Sequence, residues 1–154
     1  FEFRFGISSI LALVHDILIV LSVFSLTQRP IDSSFVAALL TIVGYSINDT
    51  IVIFDRIREN LKLHFRRGGD INELVNTSIY QTLTRSIYTV CTVLFTTFAL
   101  YWFGGDTTKD FSFALLVGFF AGCYSSIFIA SPIWVVLRNF SEKRRRAGSA
   151  AAAK

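Results

Sequence analysis

The sequence predicts an all-α integral membrane protein. Three observations support this prediction: 53% of the 154 residues are apolar, the charged residues make up only 17% and are clustered, and the mean hydropathy is +0.55. A soluble domain is usually about 45–50% apolar and about 25% charged. Long apolar runs separate the charge clusters, and their number predicts four transmembrane helices.

The first two predicted spans form an antiparallel hairpin. The first covers residues 5–26 and the second covers residues 35–54, and each is long enough to cross a hydrocarbon core of about 30 Å. The turn at 27–34 contains Pro30, which opposes helix continuation, and Asp32, which can cap the second span. A connection this short places the two spans side by side.

The second half of the chain repeats this arrangement. The third span covers residues 83–103 and the fourth covers residues 111–137, with a short polar turn at 104–110. The cytoplasmic segment 55–82 is basic, keeps an apolar stripe and is interrupted by a pair of glycines. We therefore expect two short amphipathic helices at the membrane surface between the second and third spans.

Charge distribution predicts the orientation of the bundle. Residues 1–140 are expected to form one transmembrane bundle, and residues 141–154 a basic, flexible cytoplasmic tail of low complexity. Of the 15 Lys and Arg residues, only Arg29 and Lys109 fall in the two short turns. The positive-inside rule therefore places both termini and the middle segment in the cytoplasm. Because the chain opens on Phe1 rather than Met, we expect a piece of a longer protein.

Neither cysteine nor the basic residues suggest a separate chemistry. Cys91 and Cys123 lie within apolar runs without suitable ligand partners, so we expect small core residues and neither a metal nor a cofactor. The basic residues suit membrane topology and contact with headgroups of the lipid bilayer. No base-reading motif favours a nucleic-acid partner.

The most informative position is Asp49, which lies inside the second apolar run, five residues before its end. At 1.5 Å per residue, the acid is expected about 7 to 8 Å from that end. An ionised carboxylate at depth costs on the order of 2.5–3.5 kcal/mol, so a helix that keeps one usually has a use for it. One polar face runs beside Asp49 and comprises Thr41, Gly44, Tyr45 and Asn48.

Two other spans carry polar residues that we consider together with Asp49. His15 and Asp16 lie near the middle of the first span and fit either a satisfied structural pair or a proton-linked site. Because neighbouring helical residues diverge by about 100°, we expect that they do not orient one another as a dyad. Arg85 opens the third span and heads a threonine stripe that includes Thr89, which can line a hydrated path to Asp49.

The fourth span contains no charge and carries small residues at every fourth position. This pattern is typical of close helix packing in membranes, so we expect it to be structural. The ladder comprises Ala114, Gly118, Gly122, Ser126 and Ala130.

Residues 40–60 have the sequence LTIVGYSINDTIVIFDRIREN, which closely resembles the hallmark motif of the SecF family of protein-export membrane subunits. Residues 13–16, LVHD, resemble a second motif of that family at the expected distance upstream. Arg85, with Thr82 and Thr84 around it, resembles the family's arginine at the head of the following span. The related SecD family has a similar six-helix half, but the form of the long motif is similar to SecF.

The resemblance covers nearly the whole chain and implies the last four spans of a six-helix bundle of the resistance-nodulation-division type. It implies a multi-pass protein of the bacterial inner (cytoplasmic) membrane. It also implies work with SecD, with the SecYEG channel and, indirectly, with SecA and unfolded preprotein, in which protons are the coupling ion. The positions that resemble the family's proton relay are Asp49 and Arg85. Our hypothesis adds a supporting polar site of Asn48, Tyr45, His15, Asp16 and Thr89.

Three rival functions remain open from the sequence. An intramembrane hydrolase needs reactive groups that orient one another, which His15 and Asp16 are expected not to do. A structural scaffold of the translocon would use Asp49 and Arg85 as a fixed buried ion pair that sets helix register. A small-molecule exporter of the same superfamily would carry a drug-binding extracytoplasmic domain. We expect a proton-driven accessory subunit of the translocase rather than an enzyme.

Overall fold

The computed structural model describes the backbone of residues 3–64 and 70–152 and the side chains of 3–63 and 70–141. Within these ranges the chain is helical apart from its turns and contains no strand. The helices in chain order are α1 (Phe3–Leu26), α2 (Ser33–His64), α3 (Ile71–Phe103), α4 (Asp106–Ser125) and α5 (Ser131–Ala152). A π-helical turn, Ser126–Ala130, joins α4 to α5 without a break.

Four helical stretches of the described chain are long and apolar enough to cross a membrane. They are Phe3–Leu26, Ser33–Leu63, Ile71–Phe103 and Asp106–Ser141. This confirms the predicted all-α architecture with four spans. The first and third spans also end where the sequence predicts, because Gly104 and the turn after Leu26 stop those helices.

In the segment expected to form separate amphipathic surface helices, residues 55–64 and 71–82 belong to the two long helices instead. α2 continues to His64, and α3 already begins at Ile71. No Gly or Pro stands in the last 20 residues of α2, so its backbone has no reason to break at the membrane boundary. Asn60 of α2 donates its side-chain amide to Ser78 Oγ and Gln81 Oε1 of α3 at 2.8 and 2.9 Å, which joins the two extensions.

The start of α3 carries a side-chain cap. The carboxylate of Asp70 accepts a hydrogen bond from the backbone N–H of Asn72 at 3.0 Å, which satisfies one of the free donors of the first turn. The glycine pair at 68–69, which we expect to interrupt this segment, lies outside the described residues.

The last helix is longer than the sequence predicts. The predicted fourth span, 111–137, lies inside one continuous helix that runs from Asp106 through the π-helical turn to Ala152. The predicted tail at 141–154 is therefore helical along its backbone as far as Ala152, and its flexibility remains a prediction.

A Schellman motif ends α1. The backbone N–H of Arg29 bonds to the Phe24 carbonyl at 3.1 Å, and that of Gln28 bonds to the Ser25 carbonyl at 3.3 Å. Gln28 takes a φ of 53°, in the left-handed region that glycine usually occupies at this position. The motif reverses the chain within a few residues, as the predicted hairpin requires.

Arg29 then ties the α1–α2 turn to the start of α4. Its guanidinium pairs with Asp110 and lies 4.2 Å from the centroid of the Phe113 ring. Burial lowers the pKa of Arg29, but the hydrogen bonds and charge interactions with Asp110 and Tyr101 together outweigh this effect, and the pKa lies above its ordinary value. One of the two cations in the short turns is thus neutralised by an acid.

Two apolar clusters hold the bundle together: one joins α1 and α2 to α3, the π-helical turn and α5, and the other joins α1 and α2 to α4. In one, the Phe5 ring stacks on Trp134 with centroids 4.9 Å apart. In the other, the Phe24 ring packs against Phe35 at 4.5 Å. Trp134 is fully buried within the first of these clusters. Along each helix, a stretch of polar residues lies between the two clusters.

Candidate functional site

The polar residues between the two apolar clusters form a layer, and α4 packs closely on α2 at this level. A Cβ atom at Gly118 would lie 2.3 Å from Cδ1 of Ile42, so only hydrogen fits there. Gly122 is buried against the next turn of α2. Ser126, one step further along the small-residue ladder, shares a hydrogen bond of 3.1 Å with the hydroxyl of Thr50. The ladder therefore brings polar groups of α2 and α4 within direct reach of one another.

Asp16 is fully buried in the layer, with a relative exposure of 0%. Its Oδ2 accepts hydrogen bonds from Ser46 Oγ of α2 at 2.7 Å and from Ser125 Oγ of α4 at 2.8 Å. Its Oδ1 lies 3.3 Å from Nδ1 of His15. The expectation that these neighbours do not orient one another is wrong, because their side chains meet although the Cα–Cβ bonds diverge. One carboxylate thus connects three helices.

The π-helical turn lies where two consecutive serines must both face inward. Ser125 donates to Asp16, and Ser126 bonds to Thr50. Consecutive residues of a regular α-helix diverge by about 100°, and a π turn alters that spacing. Ser131 Oγ also donates to the Ser126 carbonyl, five residues back, at 3.2 Å. Such turns are found mostly as single bulges and frequently at functional sites.

The side-chain hydrogen bond described for Asp49 is made to α3. Its Oδ1 accepts a hydrogen bond from Ser86 Oγ at 2.7 Å. Its Oδ2 is buried and has no hydrogen-bond partner among the described residues. The residue as a whole is only partly buried, in contrast to Asp16. A carboxyl group with one unoccupied oxygen can take up a proton or accept a donor that approaches it.

Arg85 directly precedes Ser86 on α3 but does not contact Asp49. Its side chain is exposed, and no ion pair joins it to Asp49 in the part of the chain that the structure describes. Thr89 is also exposed and returns its hydroxyl to the Arg85 carbonyl at 2.8 Å. The polar stripe therefore lies on the outer face of α3 in this four-span unit, and does not line a path to Asp49 within it.

The predicted polar face of α2 is largely turned outward. Asn48, Thr41 and Gly44 are exposed, and Tyr45 is half-buried against the Phe119 ring at a centroid distance of 4.7 Å. The packed face of α2 is the neighbouring one, which carries Ile42, Ser46 and Thr50. The structure thus brings His15 together with Asp16, and it brings neither Asn48 nor Arg85 into that group.

Sequence reasoning missed the serines that bond to the two acids. They are Ser46, Ser86 and Ser125. A usable signal was present, because Ser46 lies inside the long motif, Ser86 follows Arg85, and Ser125 belongs to a serine pair within an apolar run. Hydroxyl groups inside spans commonly bond across helices.

Metal binding finds no support in the described residues. No group of three or more His, Cys, Asp or Glu side chains in residues 3–63 and 70–141 could hold a metal ion. Both cysteines are free thiols, and Cys91, which we expect in a core, is exposed. The acids are held by hydroxyl groups and one imidazole instead.

These features define a multi-pass helical membrane protein that holds two carboxylates between its spans, one enclosed and one with a free oxygen. The family described as protein export membrane protein SecD/SecF, C-terminal, matches residues 1–140. The chain belongs to this family and corresponds to the four-span C-terminal part of SecF.

Individual relatives agree with this assignment. The chain is 58% identical to the protein translocase subunit SecF of Alicyclobacillus acidocaldarius over 153 residues, which cover 99% of this chain and 50% of that protein. It is 54% identical to the SecF subunit of Acidaminococcus fermentans over 127 residues, or 82% of this chain and 43% of that protein. The chain thus spans about half the length of the curated relatives that it matches.

Two crystal structures of SecDF share the fold. A super-membrane-facing form superimposes with a TM-score of 0.87 at 47% identity, over 99% of this chain and 20% of that chain. SecDF from Thermus thermophilus, described as a translocon-associated membrane protein, gives a TM-score of 0.85 at 49% identity, over 90% of this chain and 19% of that chain.

Proposed function

We propose that this chain is the proton-linked membrane part of a SecF subunit that works with SecD in the bacterial inner membrane to assist protein export. Its relatives are translocase subunits, and its structural neighbours are SecDF proteins. The observation that carries the proposal is the state of Asp49. This acid lies within a membrane span, with one oxygen bonded to Ser86 and the other buried without a hydrogen-bond partner among the described residues.

Asp49 takes up and releases the coupling proton in this proposal. The protonated carboxyl avoids the cost of a charge at depth, on the order of 2.5–3.5 kcal/mol, whereas the carboxylate needs a compensating donor or cation. Arg85 adjoins the serine that already bonds to Asp49, so a shift of α3 can bring its guanidinium toward the acid. Arg85 is therefore proposed as the gate, and its exposure supports a movable cation rather than a fixed one.

The energy available from one proton suits such a switch. A proton that crosses 100 mV supplies about 2.3 kcal/mol, which changes a two-state equilibrium roughly 40-fold. We propose that this bias moves helices of the SecD–SecF pair and thereby assists preprotein on its way through SecYEG, downstream of SecA. The remaining predicted residues, Asn48, Tyr45 and Thr89, are proposed to hydrate the route where the chain meets its partner helices.

The proposal includes an orientation with both ends of this segment in the cytoplasm. The two cations of the opposite turns are paired with acids, Arg29 with Asp110 and Lys109 with Asp106. That end therefore carries little uncompensated positive charge. The other end carries most of the 15 Lys and Arg residues of the chain, which favours the cytoplasmic side.

The test replaces Asp49 with Asn in the full-length subunit, produced together with SecD. The expected result is normal assembly with loss of the export stimulation that depends on the proton gradient, because Asn cannot exchange a proton. Asp55→Asn is the matched control, since Asp55 lies on the same helix but is exposed. An Asp49→Asn variant that assembles and keeps its full proton-dependent stimulation would contradict the role of Asp49.

A second variant separates this proposal from the scaffold alternative. A fixed ion pair that only sets helix register should tolerate exchange of its two residues, Asp49→Arg with Arg85→Asp. A vectorial proton path should not tolerate it. Assembly without proton-dependent export in the exchanged variant is the outcome expected here.

A further inference from the structure

We propose that Asp16 is a positioning residue that fixes the rotation of α2 so that Asp49 contacts Ser86; the inference rests on the proposed function of Asp49. Asp16 contacts neither Ser86 nor α3 through any described hydrogen bond. Its influence on Asp49 passes through Ser46, which lies three residues earlier on the same helix.

Two buried contacts hold α2 at this level. Ser46 donates to Asp16 of α1 at 2.7 Å, and Thr50 bonds to Ser126 of the π-helical turn at 3.1 Å. They are one helical turn apart, about 6 Å along the axis. Two such contacts on one face resist both rotation and sliding of the helix. Asp49 lies between them in sequence and contacts α3, so its placement depends on both.

The carboxylate of Asp16 does what an apolar residue cannot do at this position. Hydroxyl groups from two helices converge on its single Oδ2 atom, which makes one acceptor the link between α2 and α4. If that acceptor is removed, Ser125 retains the Gly122 carbonyl at 3.2 Å, whereas no other acceptor is described for Ser46. A buried hydroxyl without a partner is unfavourable, so α2 is the helix expected to move.

The experiment uses the full-length subunit with SecD and compares Asp16→Leu with Asp16→Asn. Leu has the same branched skeleton of four side-chain heavy atoms but no acceptor, whereas Asn keeps an oxygen for both serine hydroxyls but cannot carry the charge. We expect Leu to reduce proton-dependent export by on the order of tenfold or more, since small misplacements of a reacting group have effects of this size. Asn is expected to retain the greater part of the export.

A cross-linking readout tests the geometry independently of the proton. Cysteines replace Asp49 and Ser86 in one variant, and Asn60 and Ser78 in a matched control, both without the native cysteines. Each pair joins α2 to α3, through hydrogen bonds of 2.7 and 2.8 Å in the unsubstituted chain. Asp16→Leu should lower the disulfide yield of the 49–86 pair and leave the 60–78 pair unchanged, and Asp16→Asn should change neither.

The outcomes decide between distinct explanations. If Asn is as damaging as Leu in both assays, Asp16 acts through its charge or its own proton, and the positioning role is overturned. An unchanged 49–86 yield in Asp16→Leu also overturns it. If Asp16→Leu does not copurify with SecD, Ser46→Ala decides, because only a positioning role predicts that it lowers this yield more than Ser125→Ala. The proposed function fails separately, through an active Asp49→Asn variant.

Discussion

α2 has two polar faces, and the rest of the chain satisfies them to different extents. On the face toward α1 and α4, Ile42, Ser46 and Thr50 are no more than 1% exposed, and both hydroxyls have partners on other helices. On the face toward α3, Asp49 has one described donor, and its second oxygen has no hydrogen-bond partner in the part of the chain that the structure describes. The closed face suits a fixed arrangement, whereas the open face leaves its acid able to change partner.

The two aspartates express the same difference. Asp16 has polar partners on its own helix, on α2 and on α4, so both of its oxygens have a partner. Asp49 shares none of these partners. An unsatisfied buried polar atom costs about 1–3 kcal/mol, so a chain keeps one where a further group or a proton completes the site.

The largest effect is expected from Ser86, the residue of α3 whose hydroxyl bonds to Asp49 on the open face of α2. Ser86→Ala removes the only described donor to Asp49, and a hydrogen bond to a charged group contributes about 1.5–3 kcal/mol. We expect a roughly 10- to 100-fold loss of proton-dependent export in the full-length subunit. Thr92→Ala is the control, since Thr92 is exposed and bonds only to its own helix. If the two variants reduced proton-dependent export equally, the hydrogen bond from Ser86 to Asp49 would have no particular role in it.

Packing of the closed face is tested by a pair of glycine substitutions. Gly118→Ala should lower the free energy of unfolding by about 1–3 kcal/mol, because its Cβ would meet the buried Ile42 side chain at 2.3 Å. Gly44→Ala has open space and should instead gain about 0.5–1 kcal/mol from helix propensity. Thermal unfolding of the purified full-length subunit measures both. Similar changes in the two variants would mean that α4 does not press on α2 at this point.

A pH-dependent contribution to stability is expected from Asp32, which lies at the start of α2 and belongs to neither polar face. Hydrogen bonds from Ser34 Oγ and the Phe35 N–H lower the pKa of Asp32 below its ordinary value of 3.8. A lowered folded-state pKa means that the stabilisation is complete above the unfolded-state pKa and is lost as pH falls through the folded-state value. Asp32→Ala should therefore lower the melting temperature at neutral pH and lose this effect as pH falls through the lowered folded-state pKa of Asp32. A loss of melting temperature that becomes larger as the pH falls would contradict this prediction.

The smallest expected effect is at the end of α1. Gln28 is held in the left-handed region with a φ of 53°, where glycine carries no steric cost. Gln28→Gly should raise the free energy of unfolding by up to about 1 kcal/mol, partly offset by the larger freedom of Gly in the unfolded chain. Neither face of α2 should respond, so the same variant should leave the 49–86 cross-link unchanged. A destabilised protein would contradict the assigned motif.

Most of the fold could be predicted from the sequence because apolar length and charge clusters determine which segments cross a membrane. The ends at Leu26 and Phe103 follow from local turn signals. The extensions of α2 and α3 were not predictable from hydropathy, since a helix does not have to end where the apolar run ends. The π-helical turn at Ser126–Ala130 contains no Gly or Pro that would predict it from the sequence, and it depends on tertiary contacts.

The site was predictable in its acids but not in their partners. Asp49 and Asp16 are conspicuous because a carboxylate inside an apolar run is costly. Which face of α2 packs inside this chain was not evident, because the polar face of Asn48 and Gly44 competes with the face of Ser46. The small residues of α4 decide it, because Gly118 packs against Ile42 and Gly122 packs against Ser46.

The most direct test asks which of the two acids changes its protonation state. Infrared difference spectra of the full-length subunit with SecD, recorded across a pH titration, report the C=O stretch of a protonated carboxyl group. The account predicts a titrating band that disappears in Asp49→Asn and persists in Asp16→Asn. A band that persists in Asp49→Asn, or that disappears only in Asp16→Asn, would contradict the assignment of Asp49 as the exchanging acid.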